Sequence, residues 1–373
     1  MTVAYLNYHY DADLSTPAQL IQRYISSHEW CKSLLGAGAD RVAVVQRFIT
    51  DEKLAVDGIE YRFVHDRLPA SLPWWSIPRK FHRVVASLHP NIVHLNGKPL
   101  YAVSLRWSLS HTTPIAWQHH GGEPPTGLRR WIHRIGFSAV DGLLFTAPEI
   151  AHAWRHAGLI SHDHAIGCVI ESSSRFEPVA QETARRVLGI EGDPVLLWVG
   201  RLNENKDPLT VLQGFARIVR HSPRATLYMI YTTTPLLEQC HRFVRENGLQ
   251  KHVHFLGART HDLMPYFFSA ADYFVLGSHH EGSGFALLEA IACGTFPLVT
   301  NIPAFRAITQ NGTIGCLWES GNPASLEAAF IRGLSGNRSR LAIRNFFETH
   351  LSFEVIGRAA LAFYSRLRHQ ARS

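Results

Sequence analysis

The sequence predicts an α/β protein of two domains, and three observations carry that prediction. Apolar runs of strand length recur along the chain with helical stretches between them, the alternation of parallel sheets covered by helices. The chain has 373 residues, more than one hydrophobic core usually supports. Near residues 171–193 the alternation is interrupted by ESSSRFEPVAQET and GIEGDP, whose serines, prolines, glycines and charges read as a junction.

Taken in order, the strand-like runs of the first half are VAYLNY, RVAVVQRF, NIVHLNG, PIAWQHH, GLLFTA and AIGCVI. After the first comes HYDAD, then Ser15, Thr16 and Pro17, the cap and first-turn chemistry of a helix. The second half continues with VLLWVG, ATLYMIY, VHFLG, YFVLG and FPLVT. Phe285 to Cys293 has helical spacing and is closed by Gly294, a common left-handed helix stop. Residues 352–369 form an amphipathic helical pattern with a basic end. The expected domains are 1–175 together with a terminal helix at about 352–373, and 176–351, with a cleft between them.

Composition narrows the class. Hydrophobic residues make up 46% and charged residues 18%, which suits two ordinary α/β cores. No apolar run is long enough to span a bilayer, and the N-terminus does not read as a cleavable leader, so the expected location is cytoplasmic. Cysteines 31, 168, 240, 293 and 316 are odd in number and mostly set in apolar runs, which reads as buried free thiols. The net charge of +7 is dispersed and lacks a nucleic-acid motif, so no nucleic-acid partner is expected. Peripheral contact with the inner face of a membrane stays open. RRWIHRIG (129–136), RRVLGI (185–190), Trp74 and Trp75 are its candidates, against the reading of solvated helix faces. His162, His164 and Cys168, or His9, Asp11 and Asp13, lack the pattern of a closed metal site, and no metal is expected.

Chemistry concentrates in SHHEGSGFALLEAIACGTFP (278–297), which places Glu281 and Glu289 eight positions apart around a glycine-bearing turn. The segment sits on a strand–loop–helix unit, with Gly282 and Ser283 in the turn. The amides of Gly284, Phe285 and Ala286 therefore fall at a helix N-terminus, where unpaired N–H groups and the helix dipole favour phosphate or an electron-rich oxygen. Two carboxylates flanking such a turn suit hydroxyl-rich ligands, because each accepts hydrogen bonds from a diol. An isolated pair with this spacing would be an ordinary loop carboxylate and an ordinary helix residue. The neighbouring segments decide otherwise.

These segments resemble the retaining nucleotide-sugar glycosyltransferases of the two-domain GT-B class, especially glycosyltransferase family 4, which carries such a Glu–x7–Glu block. LLWVGRLNENKDPLTVLQGF (196–215) is similar to that family's strand, Gly-Arg turn (Gly200, Arg201), lysine (Lys206) and following helix. VHFLGARTHDLMPYFFSAADYFVLGS (253–278) matches the strand leading into Glu281, and PIAWQHHGGEPP (114–125) is similar to a strand ending in histidine, with His120 in the matching place beside His119. The resemblance implies two Rossmann-like domains facing each other across a cleft, the first presenting an acceptor and the second holding a nucleoside-diphosphate sugar, UDP or GDP being the expected carriers. It implies that Arg201 and Lys206 stabilise the charge growing on the departing diphosphate, with no metal needed. Glu281 would orient the sugar, Glu289 the ribose diol, and amides 284–286 sugar and phosphate oxygens; a neutral His120 would bond a sugar hydroxyl.

Two segments depart from the family. NYHYDADLSTPAQ stands where relatives have a glycine-rich first loop, and IESSSRFEP (170–178) where they have a glycine-bearing hinge, so acceptor and hinge contacts are not carried over. The expected activity is retaining transfer of a hexose-type sugar to an acceptor hydroxyl on a glycan, a lipid-linked saccharide or a small molecule, in polysaccharide, lipopolysaccharide or other glycoconjugate biosynthesis. The alternatives are a binding or scaffold protein that has lost turnover, and a sugar-nucleotide epimerase or hydrolase on the same architecture.

Overall fold

The computed structural model describes residues 1–73, 75–336 and 339–371. The chain divides into two units, Met1–Ser172 with Phe353–Ser373, and Ser173–Ser352. The expected junctions were 175/176 and 351/352.

The first unit is built on an eight-stranded sheet of β1 (Thr2–Asn7), β2 (Arg41–Arg47), β3 (Glu52–Val56), β4 (Ile59–Val64), β5 (Ile92–Asn96), β6 (Ile115–Gln118), β7 (Gly142–Phe145) and β8 (Ala165–Cys168), in the order β3-β4-β2-β1-β5-β6-β7-β8. Burial on both faces explains why its central strands read as apolar runs. Along β1, Ala4 and Leu6 enter one core with Val93 and Trp117, while Val3 and Tyr5 enter another with Trp30, Phe363 and Tyr364, the period-2 alternation of a strand. The terminal helix Phe353–Gln370 belongs to this second core. Its approach explains two glycines, since a Cβ on Gly142 would stand 2.7 Å from Leu367 and one on Gly167 would stand 2.8 Å from Phe363.

Two features correct the sequence reading here. The sheet is not wholly parallel, because β3 runs antiparallel to β4 as an edge hairpin. The EKLAV strand is largely exposed and carries no apolar run, so only its turn could betray it: Asp57 and Gly58 have φ of 50° and 80°, the primed-turn conformation that Asp-Gly favours. The five cysteines are free, but only Cys31, Cys240 and Cys293 are buried; Cys168 ends the edge strand β8 and is exposed.

The second unit carries a six-stranded parallel sheet of β9 (Val195–Gly200), β10 (Thr226–Tyr231), β11 (Val253–Gly257), β12 (Tyr273–Leu276), β13 (Phe296–Thr300) and β14 (Cys316–Trp318), in the order β11-β10-β9-β12-β13-β14. The order reverses between β9 and β12, the topological switch point outside whose strand ends ligands bind in open α/β sheets. Both key sequence blocks follow these two strands. Among the described residues no helix is long and apolar enough to cross a membrane. Trp75 is exposed and Trp74 lies outside the described residues.

Candidate active site

In the second unit, β9 ends at Gly200 and Arg201 follows, exposed. Asn203 then caps a single 3₁₀ turn, Glu204–Lys206, its side chain accepting from the Lys206 amide at 3.1 Å. Asp207 adopts a left-handed φ of 42° and caps the helix Pro208–His221, accepting from the Thr210 amide at 3.2 Å. Aspartate tolerates that conformation better than most residues because its short side chain bonds locally.

After β12, Gly277 lets this turn come close: a Cβ there would meet the Asp207 carbonyl oxygen at 3.0 Å and the Lys206 carbonyl oxygen at 3.3 Å. The two loops are then stitched together. Asn205 donates from Nδ2 to the His280 carbonyl at 3.0 Å and accepts the His280 amide at 3.0 Å, while its own carbonyl accepts the His279 amide at 2.8 Å. His279 Nε2 lies 3.1 Å from Asp207 Oδ2, and its Nδ1 lies 2.9 Å from Ser320 Oγ. Lys206 Nζ forms an ion pair with Glu281 Oε1, which also accepts from Ser278 Oγ at 2.7 Å. With the two side chains only 15% and 12% exposed, this pair is less screened than a surface salt bridge.

The next helix, Phe285–Ala292, starts from Gly284 at φ 61°. The amides of Phe285 and Ala286 precede its first internal hydrogen bond, donated by Leu287 to the Gly284 carbonyl at 2.9 Å. Buried Ser283 and Gly282 lead into it. Glu289 sits one turn along. Its residue surface is only partly covered, yet desolvation around the carboxyl pushes its pKa up to about 8. A bare carboxyl held this way would gain by accepting hydrogen bonds from a ligand's hydroxyls.

The sequence reading treated Lys206 as a diphosphate group and Glu281 as a sugar group. The structure brings the two into one ion pair and leaves Arg201 exposed beside β9. The reading missed the stitching residues Asn205, Asp207, Ser278, His279 and Ser320. The runs NENKD and SHHE contain four of these residues, but only the fold shows that the two turns face each other.

In the first unit, exposed His120 pairs through Nδ1 with the carboxylate of Glu171, which lies in a segment read from sequence as hinge. The imidazole that burial holds neutral is its neighbour His119, 1% exposed among Trp117, Phe145 and Trp154, with its pKa pushed down to about 4. His119 Nδ1 accepts the Gly121 amide at 3.2 Å, which shapes the loop beyond His120.

Comparison with solved structures defines the fold. Sucrose-phosphate synthase from Thermosynechococcus elongatus superposes with a TM-score of 0.74 at 18% identity, covering 99% of each chain. HepE from Anabaena in complex with UDP gives a TM-score of 0.69 at 15% identity, covering 98% of this chain and 100% of that one. The fold is GT-B. Residues 180–347 match the family of glycosyl transferases group 1. D-inositol 3-phosphate glycosyltransferase of Geodermatophilus obscurus is 32% identical over 177 residues, 45% of this chain and 39% of that protein. Mannosylfructose-phosphate synthase of Agrobacterium fabrum is 34% identical over 148 residues, 36% of this chain and 32% of that protein. The chain thus spans about half or less of the length of these relatives. The fold is thus the one these solved glycosyltransferase-class structures share, and the second unit is similar in sequence to glycosyl transferases group 1.

Proposed function

We propose that the protein is a retaining glycosyltransferase that moves a hexose-type sugar from a nucleoside diphosphate to an acceptor hydroxyl. The observation that carries this reading is the stitched pair of loops at the switch point of the second sheet, which holds Lys206, Glu281 and the start of the helix Phe285–Ala292 in one preorganised group. Glu289 binds the ribose diol, and the amides at Gly284, Phe285 and Ala286 meet sugar and phosphate oxygens. Lys206, steered by Glu281, and Arg201 bind the diphosphate and stabilise the charge it gains.

In the proposed step the bond from the anomeric carbon to the diphosphate oxygen breaks, and a bond to the acceptor oxygen forms on the same face. The acceptor's proton passes to the departing phosphate oxygen, so no protein base is required. Two cations and a helix N-terminus supply the charge that a metal would otherwise provide, so turnover in this reading is metal-independent. The solved relative HepE binds UDP and UDP-glucose, and this supports a UDP-sugar donor. A GDP-sugar is the alternative donor. The acceptor is a glycan, a lipid-linked saccharide or a small molecule.

The test is a thermal-shift screen against UDP, GDP, ADP, TDP and their common sugar conjugates, with Glu289→Ala alongside. A ligand that binds only the native state raises its midpoint, with about 2.7 kcal/mol of stabilisation at a hundred times its Kd. A selective shift that weakens in the variant is expected. No shift from any nucleotide would favour a binding or scaffold protein instead, and EDTA-sensitive turnover would overturn the metal-independent step.

A further inference from the structure

We infer that the helix Gly127–Phe137 of the first unit docks on an anionic lipid bilayer, with a headgroup phosphate seated in the small cationic cavity beside it. The helix buries Gly136 and Phe137, and Gly136 is pressed so closely to the backbone of Pro99 and Leu100 that a Cβ would stand 2.5 Å from it. Its apolar residues are not all used in this way. Leu128 is 72% exposed and Trp131 is 57% exposed, and they lie three positions apart, hence on one face. Arg129, Arg130 and Arg134 are exposed around them. Between Glu123 and Asp141 the sequence has these three arginines and no carboxylate. An outward tryptophan and leucine among arginines is the composition of a helix lying at the headgroup level of a membrane.

A second observation adjoins the first. His133 and Phe137 contact the ring of Trp154, on the helix Pro148–His156, at centroid distances of 6.2 and 6.0 Å. Arg130 reaches to 2.9 Å of where a Cβ would stand on Gly158, two residues past that helix. The same helix carries His152, Arg155 and His156, which with His162 line a cavity of about 180 Å³. Among the described residues no carboxylate lines this cavity, and Arg155 Nε is buried and finds no hydrogen-bond partner there. A buried unpaired guanidinium N–H calls for an acceptor oxygen, and arginine suits phosphate. Free phosphate would satisfy Arg155 but leave Leu128 and Trp131 in water. A lipid headgroup satisfies both, and two apolar side chains are too small a face for a stable protein interface.

The experiment is co-sedimentation of the full chain with phosphatidylcholine vesicles, with and without about one-third phosphatidylglycerol. It needs neither donor nor turnover, so its outcome is independent of the proposed activity. Binding is expected only with the anionic vesicles. Each of Arg129→Ser and Arg134→Ser should lower partitioning roughly fivefold. Leu128→Ser combined with Trp131→Ser should lower it roughly tenfold or more, since the buried apolar area is lost. Arg155→Gln should weaken anionic binding with all helix residues intact. Because the substituted helix residues are exposed, unchanged unfolding midpoints will confirm the fold. Failure of the parent chain to sediment, equal binding to phosphatidylcholine alone, or variants that bind like the parent would each overturn the inference.

Discussion

Lys206 and Glu281 lie 75 positions apart and meet as an ion pair, flanked by the two-way bonding of Asn205 to the His280 backbone. The pair fixes the lysine's ammonium on the loop that leads into the helix Phe285–Ala292 rather than leaving it to sample solvent. An ammonium held in place before reaction stabilises developing charge without reorganising, which is where preorganised electrostatic sites gain most.

Lys206→Ala should therefore lower kcat by roughly 10²–10³ in a sugar-transfer assay, with some loss of thermal stability because Glu281 is left without its cation. Glu281→Gln keeps an acceptor for Ser278 but frees the lysine, and it should lower kcat more than it raises KM. Full activity in both variants would remove the ion pair from the proposed mechanism.

Glu289 gives a pH signature. Burial raises its pKa to about 8, above the ordinary carboxyl value of 4.5, so the native state favours the protonated form. Between these values the native state holds a proton that the unfolded chain has released, and stability falls as pH rises. Glu289→Gln, which stays neutral, should be more stable than the parent near pH 8 by on the order of 4 kcal/mol, and the difference should vanish below about pH 4.5. Hydrogen bonds from a nucleotide's diol would favour the carboxylate, so nucleotide binding should release protons near pH 7. Calorimetry in buffers of different ionisation enthalpy measures that release, and a buffer-independent enthalpy would contradict the assignment.

The parts of this architecture that were legible in the sequence are those with an apolar period. The buried parallel strands announce themselves because both faces are covered, and Thr16 caps the first helix with Pro17 opening it, as their residue types allow. The edge strand β3 was not legible, since most of its side chains face water. Within the site, Glu281 and Glu289 stood out by spacing, but Asn205 and His279 act across a turn-to-turn contact that no local pattern encodes. His120 and His119 are adjacent in sequence and opposite in environment, and only burial separates them.

The first unit should respond to acid in the opposite sense to Glu289. His82, His94 and His119 are each 1% exposed, and burial pushes their pKa values down to about 4, about 3 and about 4. As pH falls from 6.5, the unfolded chain takes up protons that the native imidazoles refuse, so stability is lost progressively down to those values. The expected loss on reaching those values is on the order of 3 kcal/mol for His82 and for His119 and on the order of 4 kcal/mol for His94. Hydrogen exchange at pH 7 and pH 5, corrected for intrinsic rates, should show amides of β5 and β6 losing protection. Unchanged protection there would mean that these rings accept protons without unfolding.

Arg47 is the buried hub of the first unit. It is 0% exposed, clasps Asp66 at 2.7 and 3.0 Å, and donates to the carbonyls of Tyr8, Leu68, Pro69 and Ala70 at 3.4, 3.2, 2.9 and 3.3 Å. It thereby ties the segment after β1 to residues 66–70, and these segments help line a cavity of about 520 Å³ with Tyr8, Tyr10, Ser71, Lys98 and Tyr101. Arg47→Met removes the cation but leaves Asp66 buried at 4% side-chain exposure, an uncompensated charge costing about 3–5 kcal/mol. Adding Asp66→Asn removes that charge and should recover part of the loss, because breaking a buried pair costs more than replacing it. The four carbonyls still lack their donor, so residues 66–72 should become the first point of proteolytic cleavage in both variants. Denaturant unfolding of the two variants decides the point: equal stability would show that Arg47 acts through its carbonyl contacts alone and that its charge is incidental.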